Sequence, residues 1–264
     1  MKFYTNCQVL RNEILVRGYE DGKRVQYREE FYPTLFVNSK KESKWKTLEG
    51  NSVEPIRPGN IQDCRDFYKK YDGVEGFEIY GNEKYLYQYI SEKYPEDEIK
   101  WDINKIKLIT MDIEVKSEDG FPSPDSCAEE LLTISIQDYT TKKIVTWGRK
   151  PYTPTQDNVT YHYYESEIEM LEAFIAWWSN DYPDVITGWN CRFYDIPYIC
   201  GRIERIMGQK KMRQLSPWNY VKHDELYING RPNNIFDIAG ITTLDFMELY
   251  KKSVSYTHLT LPTS

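Results

Sequence analysis

The stretch Lys107 to Val115, KLITMDIEV, constrains this chain more than any other. Its β-branched and apolar residues specify a strand, yet two acids, Asp112 and Glu114, interrupt it. Residues two apart on a strand share a face, with Cβ atoms roughly 6.6 Å apart. Leu108, Ile109, Met111, Ile113 and Val115 predict a strand that is largely buried. Two carboxylates on one face of such a strand repel each other and lose hydration. They stay ionised only where a cation or a network of donors compensates them.

Composition narrows the field. The 264 residues suffice for two domains of ordinary size, and a chain 40% hydrophobic and 28% charged reads as globular. No apolar run approaches the ~20 residues that span a bilayer, and the N-terminal MKFYTNCQVL has no signal-peptide pattern, so a cytoplasmic protein without a membrane partner is expected. Cys7, Cys64, Cys127, Cys191 and Cys200 are scattered without CxxC spacing, which points to reduced thiols rather than disulfides or zinc. A net charge of −7 argues against a broad basic grip on duplex DNA. It leaves open a nucleic-acid enzyme whose acidic site is bridged to phosphate by metal ions.

The first hundred residues predict a mixed α+β domain. ILVRGYEDGKRVQYREEF reads as a hairpin turning at Asp21-Gly22, and Asn60–Gly73 and Asn82–Tyr94 read as helices. The polar PEDEIKWD then marks a boundary, placed near Ile106. Beyond it, LLTISIQD, KIVTWG and VTYHYY continue the acidic strand as neighbours. SEIEMLEAFIAWWSN spaces Ile168, Leu171, Phe174, Ile175 and Trp178 as a helix, with Ser166 and Glu169 at capping-box spacing. DVITGWN is a strand, and DIPYICGRIERIMG a helix with Ile196, Ile199, Cys200, Ile203 and Met207 near one face, ended by Gly208. Val221–Ile238 reads as a hairpin with Asn229-Gly230 at its tip. Three strands followed by alternating helix and strand predict an α/β domain with a mixed sheet, for which a ribonuclease H-like architecture fits.

A third acid, Asp195, stands where a strand has ended and a helix begins. Alone it reads as an N-cap. With the strand pair it supplies what two-metal phosphodiester chemistry needs: hard oxygen ligands for two Mg²⁺ or Mn²⁺ ions ~3.5–4 Å apart, one activating water and the other stabilising the leaving oxygen.

MDIEV followed by GWNCRFYDIPYI resembles the first two exonuclease motifs, Asp-x-Glu and Asn-x-x-x-(Phe/Tyr)-Asp, of the family B DNA polymerases, and ITTLDFMELYKK resembles the stretch before the third. The likeness is to polymerases of tailed bacteriophages and runs from the N-terminus to Lys252. It implies an N-terminal domain over 1–106 and a truncated, ribonuclease H-like 3′→5′ exonuclease domain over 107–252. By resemblance, Asp112 bridges both ions, Glu114 binds one ion and orients the attacking water, and Asp195 holds the other. Phe121 matches an aromatic that stacks on bases of a frayed primer end, a contact of ~1–3 kcal/mol per base that reads no sequence. Trp189 and Asn190 match positions near the terminal nucleotide, Phe193 of the same motif is expected among the DNA-binding residues, and Asn229 and Gly230 match the tip of a hairpin that helps separate primer from template. For Phe121, Trp189 and the hairpin, ordinary packing or a plain surface loop is the competing reading. The implied partners are a single-stranded DNA primer end and template. The full-length protein would add deoxynucleoside triphosphates and a sliding clamp, in the cytoplasm of a bacterial host.

The sequence departs from the family in two places. The fourth carboxylate, in a Tyr-x-x-x-Asp motif, has no counterpart after Lys252, and Asp245 matches a position ahead of that motif, which suggests a supporting role. VSYTHLTLPTS shows no charge and no helical period, and residues 253–264 resemble a translated sequencing adaptor joined at Ser253. Two other readings stay open: a stand-alone ribonuclease H-like exonuclease, and a non-catalytic nucleic-acid-binding module. With one ligand missing, the chain as written is expected to be an impaired nuclease.

Overall fold

Two residues of positive φ, Asp21 at 49° and Gly22 at 77°, set the hairpin predicted at this point, as a type I′ turn requires. β1 (Lys2–Leu10), β2 (Glu13–Glu20) and β3 (Lys23–Glu30) form an antiparallel sheet with that turn between the last two. β4 (Leu35–Asn38), β5 (Trp45–Lys46), β6 (Ser52–Ile56), α1 (Ile61–Tyr71), β7 (Ile79–Tyr80) and α2 (Tyr85–Lys93) follow, and their strands pair in the order β5-β6-β4-β7. Asn60 starts α1 through a capping box: its side chain accepts the amides of Gln62 and Asp63, while Asp63 accepts the Asn60 N–H at 2.8 Å. Ile14, Val16, Leu35, Ile61 and Tyr89 fill the core of this unit, which runs from Met1 to Trp101. The second unit is Asp102–Ser264. The computed structural model describes residues 1–257 except Asp97, Asp119 and Asn229.

The second unit is built on β8 (Leu108–Val115). Ile109, Met111 and Ile113 are buried on one face, while Asp112 and Glu114 stand exposed on the other. The strand is therefore amphipathic, not buried on both faces as its apolar content suggests, and the pair keeps its contact with water. β9 (Leu131–Asp138) and β10 (Ile144–Gly148) continue antiparallel, and β11 (Val159–Tyr163) joins parallel to β10. α3 (Glu167–Asn180) leads to β12 (Val185–Gly188), which returns beside β8 and parallel to it. α4 (Asp195–Met207), α5 (Gln209–Met212), a 3₁₀ turn at Arg213–Leu215 and the hairpin β13 (Val221–Ile228) with β14 (Arg231–Ile238) precede β15 (Thr242–Asp245) and α6 (Phe246–Thr257). The six strands lie in the order β11-β10-β9-β8-β12-β15. This is the mixed sheet expected of a ribonuclease H-like domain.

The helices differ from expectation in detail. In α3, Met170, Phe174 and Trp178 form a buried ridge of i, i+4 spacing beside Leu171 and Ile175, whereas Ile168 is 49% exposed. Ser166 occupies the N-cap position without a side-chain capping bond. The start of α3 is held instead by Glu167, whose carboxylate accepts the Leu131 N–H at 2.8 Å and the Arg202 fork at 2.8 and 2.7 Å. Such a charge-assisted, paired contact is stronger than a hydroxyl cap. Gly208, at φ 85°, ends α4 as predicted. α6 extends through Val254–Thr257, past the expected junction at Ser253. A helix already nucleated gains one hydrogen bond for each residue added, so the uncharged run can join it. The remainder of the adaptor-like tail lies outside the described residues.

Candidate active site

β12 pairs with β8 only across Leu108–Thr110, because its four residues end at Gly188. The carboxyl-terminal half of β8 therefore projects beyond its parallel neighbour, a position where open α/β sheets place ligands. The N–H of Ile113, free of β12 there, donates to Asp195 Oδ1 at 3.1 Å. Asp195 is the first residue of α4, with Tyr194 at the N-cap position, so its carboxylate reaches across to β8 rather than capping its own helix. It is 4% exposed. Burial first, and the Asp112 charge second, push its pKa from 3.8 to about 7, against the pull of the Ile113 amide. The dehydration expected for the strand pair thus falls on Asp195.

The three acids line one cleft of about 530 Å³ together with Phe121, Trp189, Asn190 and Tyr194. Phe121 is 80% exposed, its ring 4.9 Å from that of Tyr194. Trp189 is 65% exposed and so is not a core residue; its ring lies 6.1 Å from Tyr250. Phe193 does not line the cleft: it is half-buried, with the Arg192 guanidinium 5.6 Å from its ring. Gly230 takes a positive φ of 76° beyond the end of β13, and Asn229 lies outside the described residues. At the hairpin's base His223 stacks on Phe236 at 4.4 Å and meets Asn234 at 2.8 Å. Asn234 in turn donates to Asp125 at 2.8 Å, tying the hairpin to the segment that follows Phe121.

Asp245 is the acid whose part sequence reasoning left vague. It is 2% exposed and accepts four backbone amides, two of them from the loop that follows β12. Its sequence signals were its place at the end of a strand-like run and its match to a position ahead of the third motif, and neither names a partner. Among the described residues, no group of three His, Cys, Asp or Glu is arranged to hold a metal ion, so the acids line the cleft without closing a ligand shell. Their chemistry still suits one class of cofactor. Hard carboxylate oxygens match Mg²⁺ or Mn²⁺, and a buried carboxylate beside a second acid is stabilised by a cation.

A mixed six-stranded sheet of this order, with an acid-lined cleft at its strand ends, fits an exonuclease domain. Residues 77–263 match the model of the family B DNA polymerase exonuclease domain, and the chain belongs to that family. It is 28% identical, over 277 aligned residues, to the DNA-directed DNA polymerase of Enterobacteria phage T4, covering 95% of this chain and 30% of that one. The DNA-directed DNA polymerase of Escherichia phage RB69 is 26% identical over 279 residues, with 95% of this chain and 31% of that one covered. The DNA polymerase catalytic subunit of Saimiriine herpesvirus 2 (strain 11) is 23% identical over 192 residues, 66% of this chain and 18% of its own. The chain thus spans about three-tenths of the length of the two phage relatives it matches. No described helix is long and apolar enough to cross a membrane.

Proposed function

We propose that this chain carries the proofreading site of a family B DNA polymerase and removes nucleotides from single-stranded 3′ ends by metal-assisted hydrolysis. One observation carries the proposal: Asp195 is buried against β8 with its pKa raised to about 7, at the edge of a cleft shared with Asp112 and Glu114. Asp112, Glu114 and Asp195 would hold two Mg²⁺ or Mn²⁺ ions, which supply an activated water and charge stabilisation at the leaving oxygen. The chain's own residues present the substrate. Phe121 and Trp189 offer exposed rings for bases, and the exposed Glu114 would orient the attacking water.

On the same reading the longer protein extends primers on a template from deoxynucleoside triphosphates, assisted by a sliding clamp, in the cytoplasm of an infected bacterium. Five free cysteines agree with a reducing compartment. A second reading, a non-catalytic nucleic-acid-binding module, is favoured by the absence of a closed three-acid cluster among the described residues.

Stepwise shortening of a 5′-labelled single-stranded oligonucleotide, which reports release of mononucleotides from its 3′ end, separates the two. The nuclease reading expects Mg²⁺- or Mn²⁺-dependent release, abolished by EDTA and reduced at least about a thousandfold by Asp112→Ala or Asp195→Ala. In a polymerase that contains this domain, the same substitutions should leave primer extension intact. Binding without release, unaffected by metal, would establish the module instead.

A further inference from the structure

Asp245 makes more contacts than its place in the fold requires. Its Oδ1 accepts the N–H of Met247 at 2.8 Å and of Glu248 at 3.4 Å, which is what an N-cap aspartate does for a helix such as α6. The same oxygen also accepts the Asn190 N–H at 3.2 Å, and Oδ2 accepts the Arg192 N–H at 2.9 Å. Capping has no use for these last two. They belong to the loop between β12 and α4, which places Trp189 and Asn190 in the cleft and delivers the chain to Asp195. Asn190 holds a positive φ of 62°, a left-handed state that asparagine adopts more readily than most residues and that turns the loop here.

The register explains the reach. Asp245 pairs with Gly188, the last residue of β12, so its carboxylate meets the loop as it leaves the sheet. Two further links join the same segments. Arg192 Nη1 donates to the Glu248 carboxylate at 3.0 Å, and the Trp189 ring lies 6.1 Å from that of Tyr250.

We propose that Asp245 is a positioning residue for the cleft: through the backbone amides of Asn190 and Arg192 it fixes the loop that presents Trp189 and Asn190 to the terminal nucleotide of a single-stranded 3′ end. The identity of that ligand rests on the exonuclease reading above. An aspartate serves all four amides here because both of its side-chain oxygens accept. Asparagine that keeps the α6 cap turns an amide donor toward the Arg192 N–H. Serine can cap α6 but leaves both loop amides without their partner.

The test uses the whole chain and an oligothymidylate ending in 3′ 2-aminopurine, its binding followed by fluorescence without turnover. Asp245→Ser and Asp245→Asn are expected to bind this probe about five- to twentyfold more weakly, the effect of losing one or two hydrogen bonds. Amide hydrogen exchange over residues 189–192 should quicken, while the thermal midpoint falls by no more than about 10 °C and leaves the chain folded at the assay temperature. Phe121→Ala should weaken probe binding without changing exchange at 189–192, which reports on the cleft independently of Asp245. If the Asp245 variants bind as tightly as the unaltered chain while Phe121→Ala does not, the positioning role is overturned and the cleft reading survives. If Phe121→Ala also has no effect, or the unaltered chain does not bind, the cleft reading fails and takes the role of Asp245 with it. Should Asp245→Ser fail to fold, Asp245→Asn decides by the same measurements.

Discussion

Asp195 shows how a single side chain couples fold to chemistry. Its carboxylate ionises ordinarily near 3.8 but at about 7 in the folded chain, chiefly through burial and then through Asp112. Between those values the folded chain retains a proton that the unfolded chain has released. Stability of the metal-free chain should therefore fall as pH rises through 4 to 7. Asp195→Asn keeps an oxygen for the Ile113 amide and removes the charge. It should leave stability nearly unchanged at pH 4 and raise it by about 2–4 kcal/mol at pH 8, measured by urea unfolding in EDTA. A variant equally stable, or less stable, than the unaltered chain at pH 8 would contradict the buried-carboxylate account. The acids themselves were legible, because a strand's two-residue period and a helix start place them without tertiary knowledge. Which of them would be buried was not. Asp195 is dehydrated by contact with β8, 82 residues away in the chain.

Elements position these residues, and small features decide how closely they approach. A Cβ at Gly188 would sit 2.7 Å from the Met111 carbonyl oxygen and 3.0 Å from Cys191 Cβ. The glycine allows β12 to end tight against β8 beside Asp112. Gly188→Ala should cost about 1–3 kcal/mol, seen as a lower denaturation midpoint, and should weaken activity through a shift of the strand ends. At the start of α3 the capping pattern misleads: Ser166 has the right spacing but makes no capping bond. Ser166→Ala should change stability by less than about 0.5 kcal/mol. Arg202→Ala should cost about 3–5 kcal/mol, since it strands the Glu167 carboxylate in a pair whose side chains are each only 11% exposed. Equal losses from the two variants, compared by thermal unfolding, would restore the serine cap. The signal for Ser166 is local and was visible; its competitor Arg202 lies 35 residues from Glu167 and was not.

For the whole molecule, a net charge of −7 and an acid-lined cleft predict a grip on nucleic acid that depends little on lysine and arginine. The affinity for single-stranded oligonucleotide should fall only gently with monovalent salt, with a log–log slope of about −2 or shallower, and should rise when Mg²⁺ is added. A steep slope, measured by anisotropy across a salt series, would point to a basic surface instead. Apart from the short α5, local patterning in the chain specified the strands and helices from β8 to β14, the turn at Asp21-Gly22 and the spacing of Asp112, Glu114 and Asp195. All of these follow from backbone periodicity and the conformational preferences of neighbouring residues. Long-range packing, by contrast, turns the strand pair toward solvent while burying Asp195, leaves Phe193 outside the cleft, and sets Asp245 against the loop entering α4. Burial and hydrogen bonding are set by partners tens of residues apart, and no local pattern in a chain records which of them will meet.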